Sequence, residues 1–373
     1  MIGRIEELNH LYNLYNSDSF EFLVMYGRRR IGKTTILQEF SEKTNSIFFP
    51  AREKNDTLNL EDFSKIIQYH FDKQFYSSFS SWEDAFNYIS SKAHDKIAII
   101  IDEFPYIIEE NPSVKSILQH VIDHSWKQKN IFLILCGSSV SIMENDVMGR
   151  KSPLHDRQTS TLEIKPFDYY ESSDFFPEYN NINKILAYGI LGGVPRYLEA
   201  FDSSKTIEQN IATRIIQNGS YLYEEPMNLL KAEVRETNIY NSILSAIASG
   251  KNKMIDIANF IHEDRTKVAK YLNTLQILRL IEKRVPCGEP ETSKKSIYVI
   301  KDNFFKFWFR YEFTNNVYYS ILGQSEASKE IMNDISNFMG DIFEDICKEY
   351  LIRLARLRKL PFIPYHIGKW WGN

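Results

Sequence analysis

The nine residues 27–35 carry the most specific chemical signal in the chain. They run Gly27-Arg28-Arg29-Arg30-Ile31-Gly32-Lys33-Thr34-Thr35, between an apolar stretch at 22–26 and a helix-like stretch at 36–40. Glycines in such a loop let successive backbone N–H groups turn toward phosphate oxygens, and the helix that follows adds the partial positive charge of its N-terminus. Lys33 is then placed to reach the β- and γ-phosphates, and the Thr34 hydroxyl to ligate Mg²⁺. The spacing therefore predicts that residues 27–35 bind ATP together with Mg²⁺.

An acidic pair, Asp102-Glu103, directly follows the apolar run Ile97-Ala98-Ile99-Ile100-Ile101. Such a run predicts a strand buried on both faces of a parallel sheet. The carboxyl end of that strand is where open α/β sheets bind ligands. We expect Asp102 to hold Mg²⁺, usually through water, and Glu103 to orient or deprotonate the attacking water. These Walker A and Walker B motifs predict hydrolysis at the γ-phosphate, with Lys33 and Glu103 as catalytic residues.

The composition is that of an ordinary globular protein. The 373 residues include 43% hydrophobic and 25% charged residues and carry a formal net charge of -4, which argues against attraction of the whole chain to nucleic acid or a membrane. The three cysteines are scattered, which excludes a disulfide framework or zinc module. No run approaches the roughly 18 apolar residues of a membrane-spanning helix, and the N-terminus lacks the apolar core of a signal peptide. We expect a cytoplasmic protein with no membrane partner.

The elements that must position these residues divide the chain into four segments. Residues 1–165 predict an α/β ATPase core, a parallel sheet with helices on both faces. A helical lid follows at 166–235, with a Gly-Gly break before a proline that begins a helix. The pattern predicts a winged helix at 236–300 and a partial α/β C-terminal domain at 301–373, which includes a strand near its end.

The winged helix is predicted from three helical patterns followed by a β-hairpin. The helices are expected at 239–247, 254–261 and 265–278, and the hairpin strands at 281–284 and 296–300. The third helix begins with Asp264-Arg265-Thr266-Lys267 in a segment of net positive charge, so its exposed side is suited to a DNA major groove. Winged helices also serve as dimerisation or packing modules, and both interpretations stay open. The aromatic run at 303–311 favours core packing over a platform for base stacking.

Four motifs in order resemble the archaeal-type AAA-like ATPases, which are related to the signal-transducing STAND ATPases. The resemblance covers residues 1 to about 300 and implies a P-loop, AAA+-like fold that hydrolyses ATP. It rests on Tyr26-Gly27-Arg28-Arg29-Arg30-Ile31-Gly32-Lys33-Thr34, Ile101-Asp102-Glu103-Phe104, Cys136-Gly137-Ser138-Ser139 and Gly192-Gly193-Val194-Pro195-Arg196-Tyr197-Leu198.

The resemblance also implies roles for residues outside the two main motifs. Ser138 or Ser139 would sense the γ-phosphate from an extra strand between the P-loop strand and the acidic strand, the alternative being a turn that caps the next helix. Arg4 would lie beside the adenine or simply belong to a first packing helix. Arg157 would act as an arginine finger on a neighbouring subunit of a homo-oligomer or lie in a solvated loop. Arg196 would sense phosphates from the lid or lie on its surface.

The C-terminal stretch resembles the start of a restriction-type nuclease domain, with Glu344 at its first acidic position. In complete members an acidic metal motif follows a tryptophan pair, and this sequence ends at Asn373 before such a motif, so we expect no nuclease activity from it. The leading hypothesis is Mg²⁺-dependent ATP hydrolysis that switches the winged helix and the C-terminal segment. The alternatives are a DNA-binding regulator with ATP as ligand and the ATPase half of a defence or toxin-like effector.

Overall fold

The computed structural model of the chain describes residues 2–371, which form two compact units. The first comprises residues 3–165, and the second begins at Pro166. Within the described part of the first unit, five strands form one parallel sheet in the order β2-β3-β4-β1-β5. The predicted α/β fold with a parallel sheet is confirmed. The strands are β1 (Glu21–Tyr26), β2 (Ser46–Pro50), β3 (Ile97–Asp102), β4 (Ile131–Gly137) and β5 (Ser160–Glu163).

Helices connect these strands, as parallel strands require. A 3₁₀ turn at Trp126–Gln128 precedes β4, and a π-helical turn at Met143–Val147 continues the short helix after β4. The α-helices are α1 (Ile5–Tyr15), α2 (Lys33–Glu42), α3 (Asp56–Asp72), α4 (Trp82–Lys92), α5 (Pro105–Glu110), α6 (Val114–His124) and α7 (Val140–Ile142).

The position of β4 decides which loops meet at the carboxyl edge of the sheet. It lies between β1 and β3, as predicted for the sensor strand, and pairs Cys136 with Met25 and Leu135 with Ile101. All residues of β3 and β4 are buried, because helices cover both faces of the sheet. The ends of β1, β3 and β4 therefore lie side by side.

Aromatic side chains from α3, α4 and the 3₁₀ turn fill the core on one face of the sheet. Trp82 packs against Phe63 and Phe86, with ring centroids 5.3 and 5.9 Å apart. Trp126 meets Phe86 edge to face at 5.7 Å and donates its indole N–H to the Ser90 hydroxyl at 2.7 Å. Both indole rings are buried with their N–H donors satisfied. Their contacts fix the positions of the helices that support β2 and β3.

The second unit is mainly helical, with one antiparallel hairpin in its described part. A π-helical turn at Ile211–Ile216 extends its fourth helix. Its elements are α8 (Tyr169–Ser173), α9 (Asn181–Leu191), α10 (Pro195–Leu198), α11 (Ile207–Asn210), α12 (Glu225–Glu233), α13 (Thr237–Ala248), α14 (Met254–Phe260), α15 (Arg265–Ile277), β6 (Ile281–Arg284), β7 (Ile297–Ile300), α16 (Asn303–Leu322) and α17 (Gln324–Arg356).

Helices α13 to α15 and the β6–β7 hairpin have the element order expected for residues 236–300. The aromatic run of α16 forms core, as predicted, because Phe304, Phe305, Phe307 and Phe309 are buried and Trp308 donates to the Tyr223 carbonyl at 2.9 Å.

The strand predicted at the end of the partial α/β domain is wrong for the residues described. Residues 359–371 have no regular structure in the part of the chain up to Trp371. The backbone of this stretch is tied to the hairpin loop at one point, where the Cys287 N–H donates to the Lys369 carbonyl at 2.7 Å, and one such bond does not make a ladder. No helix within residues 2–371 has an apolar stretch long enough for crossing a membrane.

Candidate nucleotide site

The loop between β1 and α2 is held in shape by backbone conformations that few side chains tolerate. Gly27 has a φ of 152°, and a Cβ added there would lie 2.4 Å from the Ile164 carbonyl oxygen. Gly32 caps α2 with a φ of 88°, and Arg30 also has a positive φ of 70°. Only glycine combines a positive φ with the absence of a Cβ, so position 27 requires glycine for packing as well as for the turn.

Lys33 points back into the loop that precedes it. Its side chain is buried, with 4% of its surface exposed, and its Nζ donates to the carbonyls of Gly27 at 2.8 Å and Arg28 at 3.0 Å. The ammonium group therefore lies inside the curl of the loop. This is where a phosphate-binding lysine must be to serve as a positive charge for the β- and γ-phosphates.

Thr34 and Asp102 form a direct contact between α2 and the end of β3. The Thr34 hydroxyl donates to Asp102 Oδ2 at 2.7 Å, and the Glu103 N–H donates to Asp102 Oδ1 at 3.0 Å. Asp102 is 2% exposed. Both side chains offer oxygen atoms, which are the ligands that Mg²⁺ prefers. The residues present fit an Mg²⁺ ion held by Thr34 and, directly or through water, by Asp102.

Glu103 is held from the neighbouring strand by Ser138. Its backbone has a φ of 53°, and its Oε2 accepts hydrogen bonds from the Ser138 N–H at 3.1 Å and the Ser138 hydroxyl at 2.8 Å. The next residue, Phe104, donates its N–H to the Cys136 carbonyl at 2.8 Å. Burial, and then the Asp102 charge, raise the pKa of the Cys136 thiol, so it stays a neutral neighbour of the site.

Arg4 braces the phosphate loop from the start of α1. Its guanidinium donates to the carbonyls of Ile31 at 3.0 Å and Lys165 at 2.8 Å and pairs with Glu7 at 2.8 Å. Its backbone is left-handed, with a φ of 66°. These bonds tie the start of α1, the loop and the end of the first unit together. Contact of Arg4 with an adenine stays a prediction.

The three arginines of the loop have different surroundings. Arg28 is buried, and Arg30 is exposed. The Arg29 charge acts on Glu109 of α5: burial and then the Glu53 charge raise the pKa of Glu109, and the Arg29 guanidinium opposes both. The loop therefore buries one of its three cations and exposes another. Their predicted contact with nucleotide stays a prediction.

Arg157 is engaged within its own unit. Its Nε and one terminal nitrogen donate to Asp123 Oδ2 on α6 at 3.0 and 2.7 Å, and its other terminal nitrogen donates to the His155 carbonyl at 3.1 Å. Burial raises the pKa of Asp123, but the hydrogen bonds from Arg157 and Lys127 outweigh it and lower the value. A role for Arg157 as an arginine finger would require release from Asp123, and that role stays a prediction.

Arg196 lies in the second unit, on the exposed side of α10. It pairs with Glu199 at 3.3 Å, and its guanidinium carbon lies 5.0 Å from the centre of the Tyr221 ring. The Gly-Gly break before it is a packing feature, since a Cβ on Gly193 would lie 1.8 Å from the Phe167 carbonyl oxygen. The predicted contact of Arg196 with phosphates stays a prediction.

The structure brings together most of the candidate site residues of the two main motifs. It also reveals contacts at the site that the motifs do not show. Gly137 ends β4 where a Cβ would lie 2.6 Å from Met143 Sδ and 2.8 Å from a Pro105 ring carbon, so it allows β4 to approach α5. Nothing in the motif Cys136-Gly137-Ser138-Ser139 shows this packing. The bond between Ser138 and Glu103 was also missed, because the two residues belong to different motifs.

A family model described as an ATPase domain predominantly from Archaea matches residues 1–201. The chain belongs to this family and is a P-loop ATPase. A second model, for archaeal and bacterial proteins of unknown function, matches residues 308–373 of the ATPase. The uncharacterized protein MJECL04 of Methanocaldococcus jannaschii is 36% identical over 374 residues, which cover 99% of this chain and 81% of that protein.

Solved structures agree with this assignment at the level of fold. The Walker-type ATPase PABY2304 of Pyrococcus abyssi matches with a TM-score of 0.64 and 19% identity, over 83% of this chain and 96% of that chain. The ORC2 protein of Aeropyrum pernix, in ADPNP–ADP complexes, matches with a TM-score of 0.54 and 12% identity, over 87% and 96%. The ATPase therefore has the AAA+-like fold that its motifs resemble.

Proposed function

We propose that this ATPase hydrolyses ATP with Mg²⁺ and uses the reaction to switch the segments after residue 235, the predicted winged helix and C-terminal domain. The supporting observation is that Lys33, Thr34, Asp102 and Glu103 meet where β1, β3 and β4 end side by side. Bound Mg²⁺ would neutralise phosphate charge. Lys33 and the loop N–H groups would stabilise charge on the γ-phosphate, Thr34 and Asp102 would hold the ion, and Glu103 would take the proton of the attacking water.

Two substitutions separate binding from turnover. Lys33→Ala removes the buried cation from the loop and is expected to abolish measurable ATP binding. Glu103→Gln keeps the shape of the side chain but removes its basicity, so ATP binds normally while kcat falls about 100-fold or more. Lys43→Ala is a matched control, because Lys43 lies at the other end of α2 in an exposed pair with Glu39. Binding is measured by titration calorimetry and turnover by phosphate release.

The proposal predicts a specific pattern in these measurements. Hydrolysis by Glu103→Gln at the parental rate would refute the role of Glu103. Turnover by the parent in excess chelator would refute the dependence on Mg²⁺, and tight ATP binding by Lys33→Ala would refute the assignment of the loop. The switch itself is measured by hydrogen exchange of residues 236–371 with ADP and with ATP bound to the Glu103→Gln variant. Identical exchange in the two states would refute it.

A second function, DNA binding by the predicted winged helix, is favoured by the two faces of α15. Val268, Leu272 and Leu275 are buried on one face, whereas Lys270 is exposed on the opposite face and Arg265 is exposed in the first turn. Asp264 caps the helix by accepting the Thr266 N–H at 2.7 Å, so the helix begins at Arg265. We propose that Arg265 and Lys270 contact phosphates of duplex DNA.

The salt dependence of DNA affinity tests this proposal. Removing one cation that binds a phosphate should reduce the slope of log affinity against log salt by about 1, so Arg265→Ala with Lys270→Ala should reduce it by about 2. Lys65→Ala, at an exposed pair on α3, is the control. Measurements with and without ATP show whether nucleotide regulates DNA binding. Weak binding that does not vary with salt, or a double variant with the parental slope, would refute it.

A further inference from the structure

The contact between Ser138 and Glu103 joins two strands at the point where chemistry is proposed. Ser138 directly follows β4, and Glu103 directly follows β3, its neighbour in the sheet. The N–H and the hydroxyl of Ser138 both donate to the same carboxylate oxygen, Oε2, at 3.1 and 2.8 Å. Ser138 is buried. Water therefore competes little for its hydroxyl, and hydrogen bonds to a carboxylate are stronger than those between neutral groups.

This geometry limits what each group can do. A serine hydroxyl has one proton to donate. Because the proton of Ser138 is used by Glu103, Ser138 cannot at the same time donate to a phosphate, which only accepts. The two bonds also occupy Oε2 and set the orientation of the carboxylate. Oε1 is then the oxygen that is left to accept a hydrogen bond from a water. Glu103 has a left-handed backbone, with a φ of 53°, and its side chain reaches the residue that follows β4.

We propose that Ser138 is a positioning residue for Glu103: it holds Oε2 so that Oε1 is directed at the attacking water, instead of sensing the γ-phosphate itself. This inference rests on the proposed hydrolysis of ATP. It assigns the serine after β4 to the base rather than to the nucleotide. Loss of the hydroxyl should therefore change turnover without changing nucleotide affinity.

The interaction is tested first without nucleotide. Thermal unfolding is measured for Ser138→Ala, Glu103→Ala and the double variant. Ser138→Ala alone should lower the Tm by about 2–4 °C, because a hydrogen bond to a charged group is removed. In the Glu103→Ala background the same substitution should change the Tm by less than half as much, because its partner is already gone. Equal effects in the two backgrounds would show no coupling and would overturn the inference.

Turnover and affinity are then measured for three serine variants. Ser138→Ala should lower kcat about tenfold, since the base is no longer oriented, and leave the dissociation constants of ATP and ADP within twofold. Ser138→Thr, which keeps the hydroxyl, should recover most of kcat. The matched control is Ser116→Ala, at an exposed serine on α6 of the same unit.

The results separate this inference from the proposed function. If Ser138→Ala weakened ATP binding but not ADP binding, Ser138 would contact the γ-phosphate and the inference would be wrong. Parental kcat in Ser138→Ala would also overturn it. If the parent itself hydrolysed no ATP, the proposed function would fail, and the stability measurements would still decide whether Ser138 and Glu103 interact.

Discussion

Glu312 is a buried carboxyl whose ionisation should weaken the second unit. It lies on α16 with 3% of its surface exposed, and its Oε2 has no hydrogen-bond partner among the described residues. Burial raises its pKa from the usual 4.5 to about 7. A shift of this size corresponds to about 3 kcal/mol between the protonated and ionised forms. Replacing Glu312 by Gln, which cannot ionise, should remove this penalty.

The sign follows from proton linkage. A carboxyl with a raised pKa in the folded state stabilises the fold below the unfolded pKa of 4.5, and this stabilisation is lost as the pH rises through 7. Relative to the parent, Glu312→Gln should therefore gain about 3 kcal/mol between pH 4.5 and pH 8.5. In a unit of this size the gain corresponds to roughly 6–12 °C in Tm.

Urea and thermal unfolding of parent and variant at half-unit pH intervals measure this difference. The control is Glu178→Gln, because Glu178 is an exposed carboxyl of the same unit. A stability difference between Glu312→Gln and the parent that stays constant from pH 4.5 to 8.5 would refute the assignment. A midpoint below pH 5.5 would show that Glu312 is solvated.

Three further predictions follow from packing. Gly368→Cys should form a disulfide with Cys287, because a Cβ at 368 would lie 3.5 Å from the Cβ of Cys287. Mass spectrometry under non-reducing conditions detects the disulfide, and free thiols at both positions after oxidation would contradict the prediction. Gly193→Ala should destabilise the second unit by more than about 3 kcal/mol, since the backbone must move to make room for the new Cβ. Gly340→Ala should be neutral or stabilising, because position 340 on α17 has open space around it. Urea unfolding compares the two variants, and equal effects would count against the close approach of Gly193 to Phe167. Arg4→Ala should lower the Tm and weaken ATP binding at least tenfold. A parental affinity for ATP would show that the loop does not need the hydrogen bonds of Arg4 to bind nucleotide.

The position of residues 27–35 between a strand and a helix could be predicted because its determinants are contiguous. A glycine-containing turn, a lysine and a hydroxyl before a helix specify a local conformation and its ligand together. The same holds for Asp102, which follows a strand of five apolar residues. The aromatic run of α16 was correctly predicted as core because its apolar residues are too dense for an exposed face.

Other expectations depended on partners that lie far away in the sequence. Arg4 contacts the carbonyl of Lys165, 161 residues away, and the position of Arg157 depends on Asp123. A match of one residue to a motif does not reveal which distant residue that side chain contacts in the fold. The strand predicted near residues 365–371 failed for a related reason, since a strand exists only where a second strand pairs with it. Among the described residues, the backbone of Cys287 meets this stretch through a single bond.

The sequence by itself determined that the chain has a phosphate loop, an acidic strand end and a parallel sheet, because each of these features depends on residues that are neighbours in the sequence. Only the tertiary structure decided that Ser138 bonds to Glu103, which lies 35 residues earlier. That bond exists because the strand order places β4 between β1 and β3. Spacing along the chain does not determine the order of parallel strands, since each crossover helix can return its strand to more than one place in the sheet.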